Sequence, residues 1–300
     1  MPDVKKRSGV VCIIGRPSAG KSTFVNSVCG EKVSIVSALP QTTRNAVRGI
    51  LTAAQGQIVF IDTPGYHTSE KKMNRRLQAI TENRLRDADA VLYLTDSTRS
   101  FGEEEQAICT LLAGVQDRLV AAVNKTDIES ASAGQTRLSI IQALPAVPQE
   151  HIFDISAQEK IGLDALLDSL FALLPEGVPL YPEDFYTDQP VDFRIAEIIR
   201  EQAISRLYEE IPHAVYVDIQ DMEMKKNGKE LFVRAFLCVE RESQKSMVIG
   251  KGAAVIKAIR IESQNQLRTI FPYRVQLDLQ VRVDKNWRQK DRVLRSLLQD

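Results

Sequence analysis

The chain carries 300 residues, 44% of them apolar, and its 39 basic side chains balance 39 acidic ones. That suffices for one full α/β domain and a smaller second one, and no run approaches the ~18 consecutive apolar residues of a membrane span. The first apolar run is too short for a signal peptide and the cysteines, at 12, 29, 109 and 238, form no C-x-x-C pair, so a soluble, unexported chain with core thiols in a reducing cytoplasm is expected.

The first element is the run Val10-Val11-Cys12-Ile13-Ile14, which reads as a strand buried on both faces. Directly after it, Gly15-Arg16-Pro17-Ser18-Ala19-Gly20-Lys21-Ser22-Thr23 fits G-x-x-x-x-G-K-[ST], and Ser22 to Val28 continues as a helix. Gly15 and Gly20 let the backbone curl so that successive N–H groups face one anion, and the helix N-terminus adds its positive end. In that chemistry Lys21 reaches the β- and γ-phosphates, and the Ser22 hydroxyl sits on Mg²⁺.

Glu31 to Arg44, ending Leu39-Pro40-Gln41-Thr42-Thr43-Arg44, has neither helical nor strand period and reads as a mobile loop. A hydroxyl there, on Thr43 or Thr42, can add a Mg²⁺ ligand when a γ-phosphate is present. Ala46 to Ala53 and Gln57 to Ile61 read as paired strands joined by a turn at Gly56. The second strand ends in Asp62-Thr63-Pro64-Gly65, a D-x-x-G pattern. Its carboxylate can hold Mg²⁺ through the ion's water shell, and the Gly65 N–H can sense the γ-phosphate. Ser69 to Arg86 is charged and helical in pattern.

Val91-Leu92-Tyr93-Leu94 is another buried strand, Glu103 to Leu112 a helix, and Leu119 to Val123 a strand ending at Asn124-Lys125-Thr126-Asp127. The Asp127 carboxylate can accept both the N1–H and the exocyclic amine of guanine, whereas adenine has an acceptor at N1 and no 2-amino group. Two charge-assisted hydrogen bonds at roughly 1.5–3 kcal/mol each give about 10²–10⁴ in discrimination against ATP. Asn124 would brace this loop and Lys125 would cover the base with its alkyl stem. A helix from Gly134 to Ala143 and a strand from His151 to Ile155 lead to Ser156-Ala157, whose backbone N–H is expected to meet guanine O6. The helix Leu163 to Leu174 closes the series. Strand–helix alternation over 1–175 predicts a doubly wound, largely parallel α/β sheet with its ligand loops at the carboxyl ends of strands.

Pro175, Gly177, Pro179, Pro182 and Pro190 then interrupt the chain, and 176–190 reads as a linker. Residues 191–300 hold 20 basic against 16 acidic side chains, leaving 19 against 23 in the rest, and between Arg241 and Arg295 the count is 13 to 5. That clustering points to a polyanionic partner. An amphipathic helix comes first, with Ile195, Ile198, Ile199, Ala203 and Leu207 on one face. Alternating strands follow at Val215/Val217/Ile219, Leu231 to Val239 and Val275 to Val283. Before the last lies Met247 to Lys257, two helices around the loop Gly250-Lys251-Gly252-Ala253. The order is α+β, and Trp287 is expected in its core.

The series Gly15 to Thr23, Gln41 to Arg44, Asp62 to Gly65, Asn124 to Asp127 and Ser156-Ala157 resembles a translation-factor-class GTPase. Val248 to Lys257 resembles the loop of a type II KH domain. Together, over essentially the whole chain, they resemble the bacterial Era GTPase family. The resemblance implies a P-loop GTPase domain followed by a type II KH domain, and slow, Mg²⁺-dependent hydrolysis of GTP to GDP. It further implies binding to the 3′ end of small-subunit ribosomal RNA in 30S assembly, in the cytoplasm with some peripheral contact at the inner membrane; a monomer is expected. Residue by residue it implies Lys21, Thr43 and Gly65 as the catalytic set, and Ser22, Thr42, Thr43 and Asp62 around Mg²⁺. Nucleotide contacts would come from residues 15–23 and 62–65, Asn124, Lys125, Asp127, Ser156 and Ala157, and RNA contacts from Gly250, Lys251, Gly252, Ala253 and Lys257.

The chain also departs from familiar patterns. Tyr66 follows Gly65, so no water-orienting glutamine stands there, and His67 reads as a loop surface residue. Ser18 replaces the asparagine implicated in K⁺ use among related GTPases, so little response to K⁺ is expected. The second loop reads G-x-G-A, not G-x-x-G, placing a Cβ where backbone is expected to approach RNA. A rival reading makes GTP only a conformational ligand of an RNA-binding assembly module, which turnover measurements separate; a P-loop ATPase is disfavoured by Asn124 to Asp127.

Overall fold

The computed structural model describes residues 6–37, 43–66 and 72–298. The described residues divide into two compact units, one ending at Asp188 and the other beginning at Gln189.

In the first unit β1 (Arg7–Ile14) leads into α1 (Lys21–Cys29), then β2 (Val47–Ala53), β3 (Gly56–Asp62) and α2 (Lys72–Asp87). There follow β4 (Ala90–Asp96), α3 (Glu103–Leu112), β5 (Leu119–Asn124), α4 (Ala133–Ala143), β6 (Ile152–Asp154) and α5 (Leu163–Leu173). The six strands lie in the order β2-β3-β1-β4-β5-β6, all parallel except β2, which pairs antiparallel with β3. β3, β4 and β5 are buried at every position, which is why they read as unbroken apolar runs. The carboxyl ends of β1, β3, β4 and β5 carry residues 15–20, 63–66, 97–102 and 125–132, so the loops with chemistry converge on one edge of the sheet.

The segment expected to be a linker is instead a strap on the first unit. Gln57, fully buried, accepts from the Leu180 and Tyr181 N–H groups at 2.8 Å and donates to the Tyr181 carbonyl at 2.9 Å. Ile50 N–H donates to Tyr186 O at 2.9 Å, the Arg48 guanidinium pairs with Asp188 at 2.6 Å, and Tyr181 Oη donates to the same carboxylate. Prolines remove donors and break periodicity, but a buried glutamine on β3 supplies the missing partners. The strap also covers part of β2, the antiparallel edge.

The second unit runs α6 (Val191–Ile204), α7 (Ile211–Ala214), β7 (Tyr216–Lys225), β8 (Glu230–Val239), α8 (Glu242–Ile249), α9 (Ala254–Ile270), β9 (Arg274–Val283) and α10 (Asp291–Leu298). Its sheet is β7-β8-β9, antiparallel then parallel. Leu231, Val233, Ala235 and Leu237 alternate into the core from β8. Trp287 is fully buried, its Nε1–H donating to Ala214 O at 2.8 Å, as the core reading requires. The short helices α7 and α10 have no counterpart in the sequence reading, although Val293, Leu294 and Leu297 carry a helical spacing.

Candidate guanine-nucleotide site

Residues 15–20 curl over the end of β1 and α1 begins at Lys21, so strand, loop and helix stand as the motif requires. Lys21 is buried, and its Nζ donates to the carbonyls of Gly15 and Arg16, each at 3.0 Å. Burial pushes its ammonium down to about 8, with Asp62 acting in the opposite sense. Gly65 lies against this loop so tightly that a Cβ would stand 2.6 Å from the Pro17 nitrogen, and the Tyr66 N–H donates to Gly15 O at 3.2 Å. The D-x-x-G and phosphate loops therefore form one packed body. Gly20, at φ 98°, would with a Cβ come within 2.3 Å of Asn124 Nδ2.

Asp62 is fully buried; Ser22 Oγ donates to its Oδ2 at 2.7 Å, and the Ser22 hydroxyl stands 3.0 Å from Thr43 Oγ1. Burial pushes the Asp62 carboxyl up, against the pull of Lys21 and Ser22. Among the described residues Asp62 Oδ1 has no hydrogen-bond partner. An all-oxygen set of one carboxylate and two hydroxyls suits a hard cation, and the orphaned Oδ1 is an acceptor that a water on Mg²⁺ would satisfy. Ser22, Thr43 and Asp62 thus fit Mg²⁺. Thr42 and His67 lie outside the described residues, as does 38–42 of the loop expected to be mobile. Its earlier part is tied down, since Asn26 Oδ1 accepts from the Val33 and Ser34 N–H groups at 2.9 and 2.8 Å.

Residues expected to contact nucleotide also have partners within the protein. The Arg16 side chain does not face the phosphate site: its NH1 pairs with Glu105 at 2.9 Å, and both side chains are 4% exposed. Only its backbone serves the loop. The Thr63 hydroxyl donates to Ile13 O at 2.6 Å, tying β3 to β1, so Thr63 is a brace. The Ser156 N–H donates to Ile161 O at 3.1 Å and the Ala157 N–H to Asn124 Oδ1 at 2.9 Å, so both N–H groups expected near guanine O6 have partners within the protein.

Asn124 does brace, as expected, and over a longer reach than its motif suggests. Its Nδ2 donates to Ala19 O at 2.9 Å while its Oδ1 holds Ala157, so one side chain spans phosphate loop and Ser-Ala loop. Ser27 Oγ adds a 2.6 Å bond to Ala157 O. Asp127 is exposed, three residues beyond the end of β5. Ser18 is exposed at φ 65°, Thr23 is half-buried in the first turn of α1, and Pro64 is buried in the D-x-x-G turn. Tyr66 Oη donates to Glu82 at 3.4 Å. Sequence reasoning missed Asn26, Asp96 and Glu105, acids and amides whose spacing matches no motif.

In the second unit, Gly250 (φ 73°), Gly252 (φ 60°) and Ala253 (φ 61°) are all left-handed between α8 and α9. Lys251, Gly252, Ala253 and Lys257 are exposed, while Gly250 turns inward so that a Cβ would meet Val255 Cγ2 at 2.5 Å. The departure from G-x-x-G thus bears on backbone strain as well as on approach.

A phosphate loop, an all-oxygen cluster suited to Mg²⁺ and an N-K-x-D loop on one doubly wound sheet define a P-loop GTPase, here joined to a KH-type unit. A family model described as "50S ribosome-binding GTPase" matches residues 10–125, and a KH domain model matches 210–288. The GTPase Era of Treponema denticola is 63% identical, over 97% of this chain and 99% of its own length. The chain belongs to the GTPase Era family: it is a GTPase that works on GTP with Mg²⁺. Two solved structures match at TM-score 0.91 and 31% identity. One is an Aquifex aeolicus Era variant bound to GDP and AlF4−, covering 97% of this chain and 98% of that one. The other is Era with MgGDPNP and nucleotides 1506–1542 of 16S ribosomal RNA, with 98% of each chain covered.

Proposed function

We propose that this protein is a GTP-driven switch that binds the 3′ end of small-subunit ribosomal RNA and assists 30S assembly. The observation that carries the reading is that the solved Era complex with MgGDPNP and 16S nucleotides matches both units of this chain at once. In the GTPase unit Lys21 and the N–H groups of residues 15–20 would neutralise charge on the transferring phosphoryl group. Ser22, Thr43 and Asp62 would hold Mg²⁺, which supplies further charge neutralisation when bound. Gly65, packed on Pro17, would report the γ-phosphate through its N–H. With Tyr66 turned to Glu82 and no glutamine beside Gly65, intrinsic turnover would be slow. In the second unit the exposed Lys251 and Lys257 beside the left-handed loop 250–253 would take phosphates of single-stranded RNA.

The proposal includes a monomeric, cytoplasmic protein with peripheral membrane contact at most. No helix among the described residues is long and apolar enough to cross a membrane, and any contact would run through the basic 241–295 face. The test is binding of a synthetic 16S 3′-terminal RNA with the protein held in GDP or in a non-hydrolysable GTP analogue. Tighter binding to this RNA than to a scrambled one, in at least one nucleotide state, is expected. Equal affinity for both RNAs in both states removes the RNA assignment, and RNA that leaves GTP turnover unchanged removes the coupling.

A further inference from the structure

One acidic residue that no motif names touches both halves of the nucleotide site. Asp96 ends β4, pairs in register with Asn124 at the end of β5, and is 3% exposed. Its Oδ2 accepts from Lys125 Nζ at 2.7 Å; its Oδ1 accepts from the Thr98 N–H at 3.0 Å and the Thr98 hydroxyl at 2.6 Å. Its carbonyl accepts a long 3.5 Å bond from Arg16 NH2, beneath the phosphate loop. The next residue repeats the link: Ser97 donates from N–H and Oγ to Asn124 O, at 3.1 and 2.6 Å. Lys125 itself sits at φ 67°, a left-handed conformation that costs a non-glycine residue on the order of 1–2 kcal/mol and persists only where neighbours impose it.

We propose that Asp96 is a positioning residue for nucleoside recognition: its carboxylate tethers the Lys125 ammonium, so that Lys125 offers the nucleoside its alkyl stem and strained backbone and not a free charge. An ammonium that already has a buried counter-ion at hydrogen-bond distance contributes little further to phosphates, and the Lys125 side chain is 28% exposed against 2% for Asp96. Despite the burial that opposes ionisation, Lys125 and Thr98 hold the Asp96 carboxyl below its usual range, so the tether is an ion pair at neutral pH. Towards the phosphate loop Asp96 offers its carbonyl, to Arg16, and not its carboxylate, while Lys21 bonds the carbonyls of Gly15 and Arg16.

The inference rests on the guanine-nucleotide reading of the site, for which GDP binding by the parent is a separate control. The experiment is a double-mutant cycle on Asp96→Asn and Lys125→Met in the full chain, reading release rates of fluorescent GDP and GTP. Inorganic tripolyphosphate, used as a competitor, probes the phosphate loop alone. Asp96→Asn is expected to speed release of both nucleotides at least tenfold and to leave tripolyphosphate affinity within twofold. Lys125→Met added to it should cost less than threefold more, and Asp96→Glu should recover most of the loss. Additive effects of the two substitutions, or a parallel loss of tripolyphosphate binding, overturn the proposal and make Asp96 a prop of the whole site. Should Asp96→Asn not fold, Lys125→Met and Asp96→Glu decide in its place: Lys125→Met is expected to speed release of both nucleotides with tripolyphosphate affinity within twofold, Asp96→Glu to stay near the parental rate, and a parental rate in Lys125→Met overturns the proposal.

Discussion

The two glycine-containing loops of this protein, residues 15–20 and 250–253, solve opposite problems with the same backbone freedom. The first is held by its surroundings on every side: Lys21 bonds its carbonyls, Asn124 its Ala19, Gly65 presses on Pro17, and Arg16 is buried against Glu105. The second stands out in solvent, with Lys251, Gly252 and Ala253 exposed. A loop that meets one small anion gains from having its donors fixed before the ligand arrives, because no reorganisation is then spent on binding or on the transition state. A loop that meets a polymer needs backbone access and charge, and its contacts come largely as separate phosphate neutralisations.

That contrast can be broken hardest at Lys21. Lys21→Ala is expected to abolish GTP hydrolysis and to weaken triphosphate binding more than diphosphate binding. Phosphate release and paired affinities measure it, and unchanged turnover would be fatal to the assignment. Next comes the clamp behind the loop. Glu105→Ala leaves the Arg16 guanidinium buried and unpaired, a loss of roughly 3–5 kcal/mol by comparison with other broken buried pairs. Denaturant unfolding should show it, and a change under 1 kcal/mol would mean that Arg16 finds water.

A third expectation sharpens the electrostatics of the phosphate loop. With its folded pKa lowered to about 8 from 10.5, Lys21 binds fewer protons in the nucleotide-free native state than in the unfolded chain between those two values. Stability of the nucleotide-free protein should therefore rise with pH through that window, and GTP binding there should take up close to one proton as the phosphates restore the charge. Calorimetry in buffers of different ionisation enthalpy reads this directly; zero uptake at pH 9 would place the ammonium in a wetter setting.

The smallest effects belong to the second loop. Lys251→Asp should weaken single-stranded RNA binding and flatten the log–log salt slope by one to two contacts, each near −0.7 on single strands. Ala253→Gly should relieve the left-handed strain of about 1–2 kcal/mol, less the ~0.4–1 kcal/mol that glycine returns to the unfolded chain, so stability rises by between about 0 and 1.6 kcal/mol and RNA affinity is equal or better. A destabilised Ala253→Gly would show that the methyl group packs.

Local pattern was enough for most elements and for the chemistry: short apolar runs bounded by turn residues read as strands covered on both faces, and motifs at their ends name phosphate, metal and guanine ligands by residue type. Tertiary structure alone decided how those ligands are braced. Arg16 meets Glu105, Asp96 meets Lys125, Ala157 meets Asn124 and Gln57 meets Tyr181 across separations of about thirty to more than a hundred residues, and each pairing depends on strand register and on which side of the sheet a loop emerges. A local pattern carries no information about such a partner. For the same reason the Ser156 and Ala157 N–H groups looked open and the strap 176–188 looked like a linker. Hydrogen-bond satisfaction is a property of the folded neighbourhood, and a segment without periodicity is as well bonded as the buried side chains beside it allow.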